Sequence, residues 1–241
     1  MVGKSKIKLI NSLAQKKQRY KQGLFMVEGI KAITELLNSS FELYLLFSER
    51  PIFDVLEGKM ELVTPQELQK ISNLTTPQTA VAIFRMPKPK KIIEGTFSIA
   101  LDGLRDPGNL GTIIRLCDWF GIPDLVCSED TVDCFNPKVV QATMGSIARV
   151  NIVYVNLETY LENSSAPIYG TFMEGKNIYE TTSLDKEGIL VLGNEANGIS
   201  AEIEKLIPLK LAIPQFGKQK STESLNVATA AAIFLSEFKR R

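Results

Sequence analysis

The chain contains no histidine. That absence removes imidazole general bases, Ser-His-Asp triads and histidine metal sites together. Any proton transfer must fall to a carboxylate, a lysine, a tyrosine, water or the substrate itself. Cysteine is scarce: Cys117, Cys127 and Cys134 are odd in number and lack metal-type spacing. They read as reduced, mostly buried thiols of a cytoplasmic protein, and no metal site is expected. No apolar run approaches the roughly 18 residues of a membrane span. The Lys-rich N-terminus lacks the apolar core of a secretory signal and the Arg- and Ser-rich composition of a transit peptide. The phosphate fingerprints G-x-G-x-x-G and G-x4-G-K-[ST] are missing too, which disfavours a dinucleotide enzyme.

What is present is globular: 44% hydrophobic and 23% charged residues in a chain of 241, enough for one large domain or two modest ones. The net charge of +1 hides an asymmetry. Residues 1–21 hold Lys4, Lys6, Lys8, Lys16, Lys17, Arg19 and Lys21 and no acid. Such a cluster suits an RNA backbone, with Lys16, Lys17, Arg19 and Lys21 as the candidate contacts. A merely solvated helix would look the same.

Hydrophobic periodicity predicts an alternation of strands and helices. In the first half, a helix is expected over 5–21, a short β-like run at Phe25-Met26-Val27 and a helix striped by Ile30, Ile33, Leu36 and Leu37. Strands follow at 41–48 and 79–86, around a helix at 64–74 that starts with a Thr64 cap, Pro65 and Glu67 at the capping-box offset. The run "RMPKPKKIIEG" is a stiff, solvated seam. The expected division is 1–88 for a small α/β domain, 89–95 for the linker and 96–241 for a second α/β domain. In the latter, strands at 97–102, 124–128, 151–155, 167–172, 188–193 and 209–213 alternate with helices at 109–120, 136–146, 157–163, 200–206 and 225–238. This pattern predicts a mostly parallel sheet covered on both faces.

Three turns at the carboxyl ends of those strands are richer than packing requires. In "LDGLRDPGNLGTIIR", glycines permit a tight approach, Asn109 is placed to cap the helix, and Arg115 follows on its first two turns. In "GILVLGNEANGIS", a buried strand runs straight into Gly193-Asn194-Glu195, where a carboxylate has little structural purpose. In "LKLAIPQFGKQKSTESLNVATAAA", Ser224 and Asn226 sit at the start of a helix rich in small residues from Ala228 to Ala232.

Together the three turns resemble the motifs of the SpoU/TrmH family of RNA ribose 2'-O-methyltransferases, of the SPOUT class. Asn109-x-Gly111-x3-Arg115 is similar to the first motif, and Gly193-Asn194-Glu195-x2-Gly198 to the second. Ile213-Pro214 with Ser224-Leu225-Asn226-Val227 is similar to the third. The stretch "LFMVEGIKAITELL" is similar to the substrate-binding domain that precedes the catalytic domain in many members. Two features depart from the pattern: Ala196 stands where glycine is common, and "PQFGKQKSTE" is longer than the usual connection.

The resemblance implies a C-terminal trefoil knot, a rare exception to unknotted topology. It also implies S-adenosylmethionine as cofactor, a homodimer completing the site, and structured RNA as substrate, ribosomal rather than transfer RNA. By position, Gly193, Asn194, Ile213, Pro214 and Leu225 would hold the cofactor. Asn109, Arg115, Glu195, Ser224 and Asn226 would be catalytic. Arg115 would grip a phosphate beside the target ribose, Asn109 would bind Arg115 or the ribose, and Glu195 would hold the arginine or neighbouring donors. The alternatives are a catalytically silent RNA-binding or assembly factor of the same fold, a transfer-RNA enzyme, and base methylation.

Overall fold

The expected alternation is present in the computed structural model, which describes residues 2–182, 184–217 and 224–240. In chain order the first stretch forms α1 (Lys4–Ser12), α2 (Lys16–Gln22), β1 (Leu24–Glu28), α3 (Ile30–Leu37), β2 (Leu43–Ser48), β3 (Met60–Leu62), α4 (Pro65–Gln69) and β4 (Ala80–Arg85). There follow β5 (Phe97–Leu101), α5 (Pro107–Phe120), β6 (Asp124–Ser128), α6 (Pro137–Thr143), β7 (Asn151–Val155) and α7 (Leu157–Glu162). The last elements are β8 (Ile168–Asn177), β9 (Gly188–Leu192), α8 (Ala201–Glu204), β10 (Leu209–Ala212) and α9 (Val227–Arg240). They form two compact units, Met1–Lys88 with Asp133–Arg149, and Pro89–Val132 with Val150–Arg241.

In the first unit, β1, β4, β2 and β3 make a sheet in that order, antiparallel except for the β2–β3 pair. One of its faces packs Ile10, Leu13, Met26, Phe47, Leu68, Ile71, Val81 and Ile83 into a core. The capping box at α4 forms as expected: the Thr64 hydroxyl accepts from the Glu67 N–H and the Glu67 carboxylate accepts from the Thr64 N–H. Residues 133–149, grouped by the sequence division with the second half, pack in this unit instead. The Phe135 ring lies 4.7 Å from Phe25, and α6 packs on β1.

The single helix expected over 5–21 is broken into α1 and α2, and Arg19 accounts for the break. Its Nη1 donates to the carbonyl oxygens of Leu13 and Ala14, at 2.8 and 2.9 Å. Its Nε donates to Asp133 Oδ2 at 3.0 Å, and Nη2 closes a second bond to the same oxygen. Arg19 is 2% exposed, with its guanidinium filled by acceptors. It is therefore no part of an RNA-contacting surface, and the sequence expectation for that residue is corrected. Lys16, Lys17 and Lys21 are exposed.

The second unit carries a sheet in the order β10-β8-β9-β5-β6-β7, with every pair parallel. Strands β5, β6 and β9 are buried along their whole length, which is why they read as unbroken apolar runs. Parallel pairing sends the carboxyl ends of all strands to one edge. The chain runs outward from β5 to β7, then returns to the other side of β9, so the order reverses beside β5. That reversal is where folds of this kind open a ligand crevice.

Candidate active site

Strands β5 and β9 are neighbours in register, Leu101 opposite Leu192, and the Asp102 N–H extends the ladder to the Leu192 carbonyl at 2.9 Å. The turns after them therefore leave the sheet side by side. Several polar groups join the two. Asn194 Nδ2 donates to the Gly103 carbonyl at 2.6 Å, and Asp102 Oδ2 accepts from the Ser200 N–H at 2.7 Å. The Glu195 carboxylate accepts from the N–H groups of Arg105 and Asp106, at 3.3 and 3.1 Å, and from Asn109 Nδ2 at 3.0 Å.

The third turn joins through Asn226. Its Oδ1 accepts from the N–H groups of Ala228 and Thr229, at 3.0 and 3.2 Å, and so caps α9. With Oδ1 committed, Nδ2 donates to Asn109 Oδ1 at 2.9 Å. Asn109 then has only its own Nδ2 to offer Glu195. Each amide orientation fixes the next, and the carboxylate at the end serves as acceptor throughout. Partial desolvation among the loops pushes the Glu195 carboxyl upward. The hydrogen bonds from Asn109 and the backbone outweigh it and hold the group below the ordinary carboxylate range.

That shift has a testable sign. A carboxyl depressed in the folded state contributes stability present above its unfolded value, about 4.3, and lost as pH falls through the lower folded value. We expect Glu195→Gln to destabilise the protein at pH 7 and the gap from the unaltered chain to narrow below about pH 4. Urea unfolding across pH checks this, and a gap independent of pH would contradict it.

Beside this chain of amides lies a cleft of about 1390 Å³. Gly193, Asn194, Glu195, Ile213, Pro214, Ser224, Leu225 and Asn226 all line it. Gly193 is required by space: a Cβ there would stand 2.2 Å from the Gly198 carbonyl carbon and 2.3 Å from the Ile199 nitrogen. Two expectations need adjustment. Asp106 caps α5, its Oδ1 accepting from the Asn109 N–H at 2.8 Å, so Asn109 is free to face Glu195 and Asn226. The Asn194 side chain is occupied, since Oδ1 also accepts from the N–H groups of Ala196 and Asn197. It shapes the loop, as does its backbone, whose N–H and carbonyl both pair with Gly198 at 2.9 Å.

Arg115 stands apart. It is exposed on α5, does not line the cleft, and has no hydrogen-bond or ion-pair partner among the described residues. The long connection from Pro214 to Glu223 lies in part, at 218–223, outside the described residues. Missed from sequence were Asp102, Asp106 and the cleft wall at 171–175. Asp106 could have been found from Pro107 at the first helical position.

An all-parallel α/β sheet with its loops knitted around a cleft at one edge defines a ligand-binding domain of doubly wound type. Residues 96–236 match the SpoU rRNA Methylase family, and the chain belongs to that family. Residues 4–82 match the MRM3-like substrate binding domain. Over 95% of its length the chain is 31% identical to the 23S rRNA (guanosine(2553)-2'-O)-methyltransferase RlmP of Bacillus subtilis, covering 94% of that protein. Among solved structures, a TrmH-family protein of Porphyromonas gingivalis superposes with a TM-score of 0.89 at 35% identity, over 100% of this chain and 99% of that one. An AdoMet-bound rRNA methyltransferase of Sinorhizobium meliloti gives 0.86 at 29% identity, over 100% and 97%.

Proposed function

We propose that the protein transfers a methyl group from S-adenosylmethionine to a ribose 2'-hydroxyl of structured RNA, ribosomal rather than transfer RNA. The observation that carries this is the hydrogen-bonded chain Asn226–Asn109–Glu195, which ties three separate turns together beside a cleft that the second and third of them line. The cleft suits the cofactor. Its lining combines apolar side chains (Ile199, Ile213, Leu225 and Phe234) with the bare backbone of Gly193, and its volume exceeds the roughly 300–1,000 Å³ of most small-ligand sites. Gly193, Ile213, Pro214 and Leu225 would hold the cofactor, with Asn194 shaping the loop. When bound, it supplies a sulfonium-borne methyl group, a good electrophile.

The chain must then align a weak nucleophile and let its proton leave. A guanidinium stays protonated, so Arg115 is no base; it grips the phosphate beside the target ribose in fork geometry. That phosphate or a water takes the proton, while Ser224 and the Asn109–Asn226 pair border the ribose. The position of Arg115 on α5 supports its serving a second copy. Six residues beyond Asn109 on α5, it lies about 9 Å along the axis and is turned about 120° away. A homodimer brings it to the partner's cleft. Trp119, one turn further on and 84% exposed, fits a face covered by that partner. The C-terminal trefoil knot belongs to the same reading.

The test is transfer of labelled methyl groups to ribosomal and transfer RNA offered in competition. Preferential labelling of ribosomal RNA is expected, and equal or reversed labelling would overturn that preference. The first unit makes a separate prediction through Lys16, Lys17 and Lys21. Changing all three to glutamine should weaken RNA binding and flatten its log–log salt dependence by about 0.7–0.9 per lost phosphate contact. An unchanged slope would reduce these lysines to solvation.

A further inference from the structure

One wall of the cleft comes from none of the three motif turns. Along the β8–β10 pair, Gly170 faces Lys210, but the next residue of β10, Leu211, faces Lys176. Residues 171–175 leave the ladder as an arch, and all five line the cleft. Both feet of the arch are set by glycine. A Cβ on Gly175 would stand 2.7 Å from the Lys210 carbonyl oxygen, backbone that cannot easily retreat. On Gly170 it would meet Phe172 at 2.6 Å and Ile207 at 2.9 Å. The Thr171 hydroxyl ties the arch to the Val191 carbonyl at 3.3 Å, and the Lys210 ammonium covers the Phe172 ring at 4.9 Å.

The charges on the lining fall into two groups. Glu195 is taken by its three donors, and Lys210 is paired with Glu204. Glu174 is exposed and has no hydrogen-bond or ion-pair partner among the described residues. A carboxylate on a fixed arch in a ligand cleft offers two adjacent acceptor oxygens, and here no donor among the described residues satisfies them.

We propose that Glu174 accepts hydrogen bonds from the vicinal ribose hydroxyls of S-adenosylmethionine. This rests on the methyltransferase reading. Two neighbouring hydroxyls match the two carboxylate oxygens. An internal RNA nucleotide cannot offer the pair, because its 3'-oxygen is esterified. The arch thus adds to the three motif turns a fourth loop, one that recognises the nucleoside half of the cofactor.

Calorimetry with S-adenosylhomocysteine and its 2'-deoxy and 3'-deoxy counterparts tests this without turnover. S-Adenosylhomocysteine lacks the sulfonium charge, so losses report on the hydroxyls. We expect the unaltered protein to bind at least one deoxy compound about tenfold or more weakly. Glu174→Gln should bind S-adenosylhomocysteine about tenfold more weakly and lose most of that discrimination. Glu174→Gln binding as the unaltered protein does, or discriminating equally well, would overturn the assignment. Failure of the unaltered protein to bind S-adenosylhomocysteine at all would overturn the underlying reading, and this assignment with it.

Discussion

Arg115→Lys is expected to lose roughly a hundredfold or more in turnover while binding S-adenosylmethionine as the unaltered protein does. Lysine keeps the charge but not the fork, so a bidentate phosphate grip becomes a point contact. Cofactor affinity should hold because Arg115 lines no part of its own subunit's cleft and, at the partner's, grips the RNA phosphate rather than the cofactor. Its placement across a dimer can be read from mixtures. Subunits carrying Arg115→Ala and subunits carrying Asn226→Ala should each be inactive. Randomly paired in equal amounts, half would form heterodimers, each with one intact composite site. About a quarter of full activity should return, by the additivity of independent sites. No recovery, in subunits shown to exchange, would place Arg115 and Asn226 in one protomer.

The second large effect is on folding. Arg19→Ala leaves the Asp133 carboxylate, 4% exposed, buried without its cation, and frees the carbonyls of Leu13 and Ala14. Breaking such a pair costs about 3–5 kcal/mol. Arg19→Lys should recover only part of this, since one ammonium cannot reach three separate acceptors at once. Urea unfolding decides, and a cost below about 1 kcal/mol for the alanine variant would show the pair to be dispensable. A residue reserved for RNA would instead spare folding and change only the salt dependence of binding.

The same residue marks how far the sequence could be read. The parallel sheet was legible because strands buried on both faces leave apolar runs such as Leu125–Cys127 and Ile189–Leu192. The far part of β8 was not, because "TFMEGKN" is mostly polar, partly exposed and bent into the arch. The break between α1 and α2 was hidden for another reason. It is satisfied from Arg19, whose own anchor at Asp133 lies 114 residues away. Local periodicity carries no information about such a partner. Nor could it show that Phe135 packs on Phe25, which takes residues 133–149 into the first unit.

For the site, the legible part was which turns mattered; the illegible part was which atom did what. Glu195 was recognisable as a carboxylate with little evident structural purpose at a strand end, and Asn109 and Asn226 as polar groups at helix entries. Their order along one hydrogen-bonded chain depended on β5 and β9 being neighbours, which pairing decides and composition does not. Asn194 illustrates the limit: its residue type suits a ligand contact, yet its amide is used in building the loop.

The most direct measurement is chemical. RNA methylated by the purified protein with label in the methyl group is digested completely in alkali. A methylated 2'-oxygen cannot attack its neighbouring phosphate, so label from ribose methylation emerges in alkali-stable dinucleotides. Label recovered in those dinucleotides, and lost with Arg115→Lys, is the expected result. Label confined to mononucleotides would mean base methylation, and no incorporation would mean a silent binding protein; either would contradict the account.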